Sequence, residues 1–124
     1  MTAPNILYPD ASEPEKVGSY SPESMSGGGY VYDKVLEYRV WSHEQKDARC
    51  YSFVTYQDAL AFHRQTGATE EPLVLVLQVQ YVDENEKTGA RTLVKKPRIT
   101  EWLPQWLKGS ERSDELIQEV LSQG

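Results

Sequence analysis

Few side chains in this sequence are of a type and spacing that could do chemistry. Its single cysteine, Cys50, follows Arg49, and a neighbouring cation can lower a thiol pKa toward the nucleophilic thiolate. Such a nucleophile also needs an orienting histidine, for which His43, across a predicted hairpin, is the candidate; the alternative, which we adopt, is an inert, half-buried thiol. His63 falls on the apolar stripe of a predicted helix. A general base there would need a nucleophile or substrate within hydrogen-bond reach, and none is identifiable, so a core or rim histidine is expected. His43 and His63 have no ligand-type partner at i,i+4, and His43 sits with Glu44 and Asp47 in a charged loop, so no metal site is expected. The run Asp83-Glu84-Asn85-Glu86 lacks the alternating acids and following glycine of a calcium loop. Neither a nucleophile-elbow GxSxG, a Walker loop, a GxGxxG nor an HExxH occurs, so no catalytic residue is assigned. Positive charge concentrates at Arg91, Lys95, Lys96 and Arg98. These could hold a phosphate-bearing ligand or an acidic partner, but protection of an edge strand from aggregation is the preferred reading.

Composition narrows the function classes. The 124 residues suffice for one domain, and 13 Lys+Arg against 19 Asp+Glu give a formal charge of −6. That balance argues against nucleic acid as a partner, since affinity for it comes mainly from neutralising phosphates. One cysteine excludes an internal disulfide framework. No apolar run approaches the ~20 residues of a bilayer span, and the N-terminus lacks the pattern of a secretory signal, so no membrane association and a cytoplasmic location are expected.

The elements that must position these side chains read as follows. Residues 1–29 hold four of the prolines, a net charge of −3 and no apolar period, ending in Ser26-Gly27-Gly28-Gly29. They predict a disordered acidic tail, with the folded domain over 30–109 and an amphipathic helix over 110–124. Alternation over 30–41 predicts a long strand, paired antiparallel with a second at 49–55. Thr55 and Asp58 have capping-box spacing, Tyr56, Ala59, Leu60 and His63 form one stripe, and Gly67 is expected to stop the helix in the left-handed conformation. Leu73-Val74-Leu75-Val76-Leu77 predicts a central strand continuing to Tyr81, and 91–95 an edge strand. Trp102, Leu103, Trp106 and Leu107 recur at helical spacing, with Pro104 limiting that segment to one or two turns. Ser113 caps a last helix with the stripe Leu116, Ile117, Val120, Leu121. The expected fold is α+β: a four-stranded, mostly antiparallel sheet of order β-β-α-β-β, one helix on a face and short C-terminal helices.

One short helix cannot cover both faces of four strands. The second face, read as carrying Glu37, Arg39, Trp41, Val76, Gln78 and Gln80, must then meet the 102–107 segment, another molecule or water. Glu37, Arg39, Trp41, Gln78 and Gln80 are therefore the candidate binding residues, and Trp41 the aromatic least expected to be purely core.

Four stretches resemble a known group. They are Tyr32-Asp33-Lys34-Val35-Leu36-Glu37-Tyr38-Arg39-Val40-Trp41, Phe53-Val54-Thr55-Tyr56-Gln57-Asp58-Ala59-Leu60-Ala61-Phe62, Glu71-Pro72-Leu73-Val74-Leu75-Val76, and Arg98-Ile99-Thr100-Glu101-Trp102 with Trp106-Leu107. They are similar to small bacterial proteins identified as GNAT-type N-acetyltransferases, over about residues 30–107. The resemblance implies acetyl-CoA as cofactor and a Q/R-x-x-G-x-G/A loop that cradles its pyrophosphate at the start of a helix. The nearest match is Arg64-Gln65-Thr66-Gly67-Ala68-Thr69, where Thr69 replaces the last Gly or Ala and the segment is predicted to end a helix. From the residues themselves, the leading expectation is a non-catalytic binding or accessory protein without a cofactor, engaging a protein partner or a second copy through the second sheet face. An acetyl-CoA-dependent N-acetyltransferase is the alternative.

Overall fold

The structure, a computed structural model, describes residues 8–22, 25–44 and 46–123. Among them run β1 (Met25–Ser26), β2 (Lys34–Ser42), β3 (Arg49–Phe53), α1 (Tyr56–Gln65), β4 (Leu73–Gln78), β5 (Tyr81–Glu84), β6 (Arg91–Val94), β7 (Arg98–Trp102) and α2 (Asp114–Ser122). The fold is α+β. The main sheet has the order β1-β7-β4-β2-β3, antiparallel except for β1, which runs parallel to β7, and β5-β6 form a separate two-stranded sheet.

β4 is central because both of its faces are apolar: Val74, Leu75 and Val76 are all fully buried. Against it, β2 inserts one extra residue, Leu36, between the pairs Val35↔Val76 and Glu37↔Leu75. The bulge resets the alternation, so Val35 and Tyr38, three apart, enter the same core cluster with Val40, Val74, Val76 and Trp102. It also turns Glu37, Arg39 and Trp41 together onto the opposite face.

α1 covers the core face beside β3. Thr55 Oγ1 accepts from the Asp58 amide at 3.0 Å as the helix cap, Tyr56 meets Tyr38 edge-on, and Phe62 packs against Tyr51 and Phe53. The expected left-handed stop at Gly67 lies one residue later, at Ala68 (φ 59°). The chain is already extended at Thr66, and the reversal at Ala68 aims its carbonyl at the His43 amide and brings Thr69 to Ser42.

Three other expectations differ from the structure. The strand through 73–81 is interrupted, because the Asp33 carboxylate takes the Val79 amide at 2.6 Å and the chain leaves the sheet. The strand at 91–95 therefore pairs with β5, and β7 takes its place in the main sheet. Trp102 ends β7, and only Pro104–Leu107 forms a 3-10 turn, so the helical spacing of Trp102 and Trp106 marks a strand-to-turn corner with the rings 6.0 Å apart. α2, capped by Ser113, buries Ile117 and Val120, while the Arg91 guanidinium donates to the Val120 carbonyl at 2.8 Å, a cation at the carbonyl end of the helix.

The expected disordered tail and the domain start at Tyr30 are corrected for residues 8–22 and 25–29; residues 1–7 and 23–24 lie outside the described residues. Tyr8 stacks on Tyr56, Ala11 is buried and donates to the Val54 carbonyl, and Pro14–Lys16 form a 3-10 turn. The chain then crosses to the other face of the sheet and adds β1 at its edge. Low hydrophobicity misleads here because this segment is held mainly by its backbone, which partners buried polar side chains. Gly29 makes the last turn, at φ +70°, where an added Cβ would lie 2.6 Å from Gln78 Nε2 and 2.9 Å from Tyr81 Cβ. Gly29→Ala is expected to destabilise by about 1–3 kcal/mol in urea unfolding. Gly28→Ala, with open space around its Cβ, is expected to stay within about 0.5 kcal/mol.

Candidate functional site

The sheet face expected to be open is closed. Glu37 and Arg39 are 0% exposed, and the segment 17–22 lies over them. Arg39 Nε donates to Glu37 Oε2 at 2.6 Å, Nη1 to Glu101 Oε2 at 3.1 Å and Nη2 to the Ser21 carbonyl at 2.7 Å. Glu37 accepts further from Ser52 Oγ and the Gly18 amide, and Glu101 from the Trp41 indole at 3.0 Å. Burial works against the Arg39 charge, but the bonds it donates to Glu37 and Glu101 outweigh it and hold its pKa above the ordinary value. Both carboxylates are thus bonded to this guanidinium, Glu37 also to strap backbone and Glu101 also to the Trp41 indole.

Gln78 and Gln80 do not join that set. β4 pairs Val76 with Val35 and Thr100, which puts Val76 and Gln78 on the core side of the sheet, and Gln80 lies in the bend after β4. The alternation behind the expectation ignored the bulge in β2, which shifts the faces of its two halves by one residue.

A cavity of about 550 Å³ lies between the strap and the edge of β3, lined by Gly18, Tyr20, Glu37, Trp41, Cys50 and Ser52 among others. Burial raises the Tyr20 phenol, whose hydroxyl has no hydrogen-bond partner among the described residues, and pushes the Cys50 thiol up to about 11 despite Arg39 nearby. Cys50 stands opposite Trp41 and is held as a neutral thiol, while the His43 ring is hydrogen-bonded to Glu70 on the surface. His63 Nδ1 is bonded to Thr69 Oγ1 at 2.8 Å. Among the described residues, no group of three His, Cys, Asp or Glu side chains is placed to hold a metal ion, and no helix is long and apolar enough to cross a membrane.

The basic cluster is split. Arg91 is tied to Glu84, to the Val120 carbonyl and over the Tyr30 ring, and Lys95 and Lys96 project from an exposed loop. Arg98 instead lines a cleft of about 800 Å³ where the main sheet meets the β5-β6 hairpin. One wall is the backbone of residues 27–29 with Tyr30, a second is Asp83, Glu84 and Glu86, and the third is Trp106 and Lys108. Trp106 is 45% exposed, the most exposed large apolar side chain among the described residues. The glycine wall is fixed from behind. Trp102 Nε1 donates to the Gly27 carbonyl at 2.9 Å, Gln78 Nε2 to the Gly28 carbonyl at 2.8 Å, and the Val82 amide to the Gly29 carbonyl at 3.0 Å. Sequence reasoning missed this cleft. The available signal was the three-glycine run, whose partners are contributed by strands 50 to 75 residues away.

The segment Arg64 to Thr69 stands at the C-terminal end of α1 and leads into β4. That is the carbonyl end of the α1 dipole, and the His63 and Thr66 carbonyls there accept from Thr69 Oγ1, both at 3.3 Å. No protein-family model, curated protein or solved structure matches the chain.

Removing Arg39 strands two carboxylates under the strap. Arg39→Met is expected to lower stability by about 3–5 kcal/mol, and the double variant Glu37→Gln/Arg39→Met to recover part of that loss, both read by urea denaturation. With a pKa near 11 instead of the ordinary 9.0, Cys50 holds about a hundredfold less thiolate at pH 8. Its alkylation by iodoacetamide is expected to be slower than that of a free cysteine by about that factor, and to rise roughly tenfold per pH unit until the pH nears 11.

Proposed function

We propose that this chain is a non-catalytic binding protein whose ligand site is the cleft between residues 27–30, the β5-β6 hairpin and the Trp106–Lys108 corner. The observation that carries this reading is the convergence, in one cleft of about 800 Å³, of a half-exposed tryptophan, a braced glycine backbone and side chains of both charges. A large concave pocket with an apolar wall and a few fixed polar groups is the usual form of a small-molecule site. The sheet face around Glu37, Arg39 and Trp41 supports partner binding less, because its charges are already paired beneath the strap. The acetyltransferase reading is supported by the resemblance and opposed by the carbonyl-ended helix at Arg64 and Gln65.

Amide and indole NMR spectra of the labelled protein, titrated with a mixture of small ring-containing fragments, test the proposal. Saturable shifts are expected at residues 27–30 and at the Trp106 indole, and Trp106→Ala is expected to weaken them about tenfold. Shifts confined to other surfaces, or none, would overturn it. Micromolar binding of acetyl-CoA in calorimetry, with shifts centred on residues 64–69, would replace it with the acetyltransferase reading.

A further inference from the structure

Arg98 is anchored at one end of its guanidinium, and its terminal nitrogens bond no described residue. Nε donates to Gln78 Oε1 at 2.6 Å, and the guanidinium carbon stands 3.7 Å from the centroid of the Tyr81 ring. Gln78 is fully buried, and its amide nitrogen donates to the Gly28 and Val31 carbonyls, so its oxygen is committed to Arg98 in one orientation. Arg98 forms no ion pair with any described residue, although Asp83, Glu84 and Glu86 line the same cleft. Glu84 is already held by Arg91 and the Tyr30 hydroxyl. The two terminal nitrogens of Arg98, whose only polar bond to a described residue is through Nε, lie beside residues 27 and 29, close enough that Nη2 would sit 2.8 Å from a Cβ added at Gly29.

A planar guanidinium held by a stacked ring and a buried amide, with an outer edge bonded to no described residue, is preorganised for two parallel bonds to an oxyanion. Its stacking on Tyr81 and its bond to Gln78 are formed before any ligand arrives, so little rotamer freedom is lost on binding. Trp106 supplies an exposed ring face to the same cleft, held edge-on by Trp102. The three acids of the hairpin wall repel additional negative charge.

We infer that the cleft takes a small molecule with a flat ring and a single oxyanion group, a carboxylate or a phosphate, which binds the outer edge of Arg98 while the ring lies on Trp106. This rests on the cleft being the ligand site and adds the class of ligand and the role of Gln78, which positions Arg98 without touching the ligand.

The test is calorimetry at low salt with matched pairs, AMP against adenosine and indole-3-acetate against indole-3-acetamide, with ATP and inorganic phosphate as further probes. At least one anion is expected to bind tenfold or more tightly than its neutral partner, AMP more tightly than ATP, and phosphate alone weakly. The AMP and indole-3-acetate arms tell phosphate from carboxylate. Arg98→Gln is expected to bring the ratio of anion to neutral affinity close to one. If that variant does not fold, the wild-type anion preference must still fall about tenfold between 20 mM and 500 mM salt. Equal binding of anion and neutral partner would overturn the inference and leave the cleft as the ligand site. Absence of binding by every probe, together with no fragment shifts at residues 27–30, would overturn both.

Discussion

A guanidinium withdrawn from water must be surrounded by acceptors, and Arg39 finds them on its own strand, on β7 and on the strap. Glu37 lies two positions away on its own strand, Glu101 comes from β7 across the sheet, and the Ser21 carbonyl comes from the strap. Each carboxylate is in turn tied elsewhere, Glu37 to Ser52 and the Gly18 amide, Glu101 to the Trp41 indole. A buried ion pair is a weak source of net stability but a strong source of specificity, because any arrangement that loses one member leaves a charge unsatisfied. Here the member most easily lost is the strap. A polar segment with little apolar surface of its own is thereby bound to the fold by the charges it covers.

The other end of the strap works by the same means on the opposite side of the sheet. Residues 27–29 contribute almost no side chain, yet their carbonyls receive bonds from Thr100, Trp102, Gln78 and Val82. Gln78 links this turn to Arg98, so one buried amide sets both the backbone wall of the cleft and its fixed cation. Replacing Gln78 by an apolar residue of similar volume would leave the Gly28 and Val31 carbonyls without their donor and the guanidinium free to rotate.

Periodicity made several elements legible in the sequence. The apolar run at β4, the capped α1 and the Ser113-capped α2 each satisfy a local rule, and each forms where that rule places it. What was not legible depends on contacts between distant residues. The extra residue at Leu36 changes which side chains share a face, and no alternation count detects it. The break at Val79 depends on the Asp33 carboxylate, 46 positions away, and it decides whether Arg91 or Arg98 belongs to the main sheet. Composition placed residues 8–22 outside the fold because it weighs side chains, and this segment is held mainly through its backbone. Of the candidate residues, Glu37, Arg39 and Trp41 do come together, but as an internal network; the cleft drew on Arg98 alone from the basic cluster.

These two sets of contacts are mechanically linked. From Ser21, which caps Arg39, to Gly27, which accepts from Trp102, the chain is six residues long, a reach of at most about 20 Å when fully extended. Within that reach it also pairs as β1 with Thr100 and Glu101 of β7, and Glu101 is itself a partner of Arg39. The buried charges and the glycine wall of the cleft thus share β7 as a common neighbour. Proteins commonly keep a binding site rigid by tying it to elements that cannot move independently. In this fold the tie is electrostatic on one face of the sheet and made of backbone carbonyls on the other.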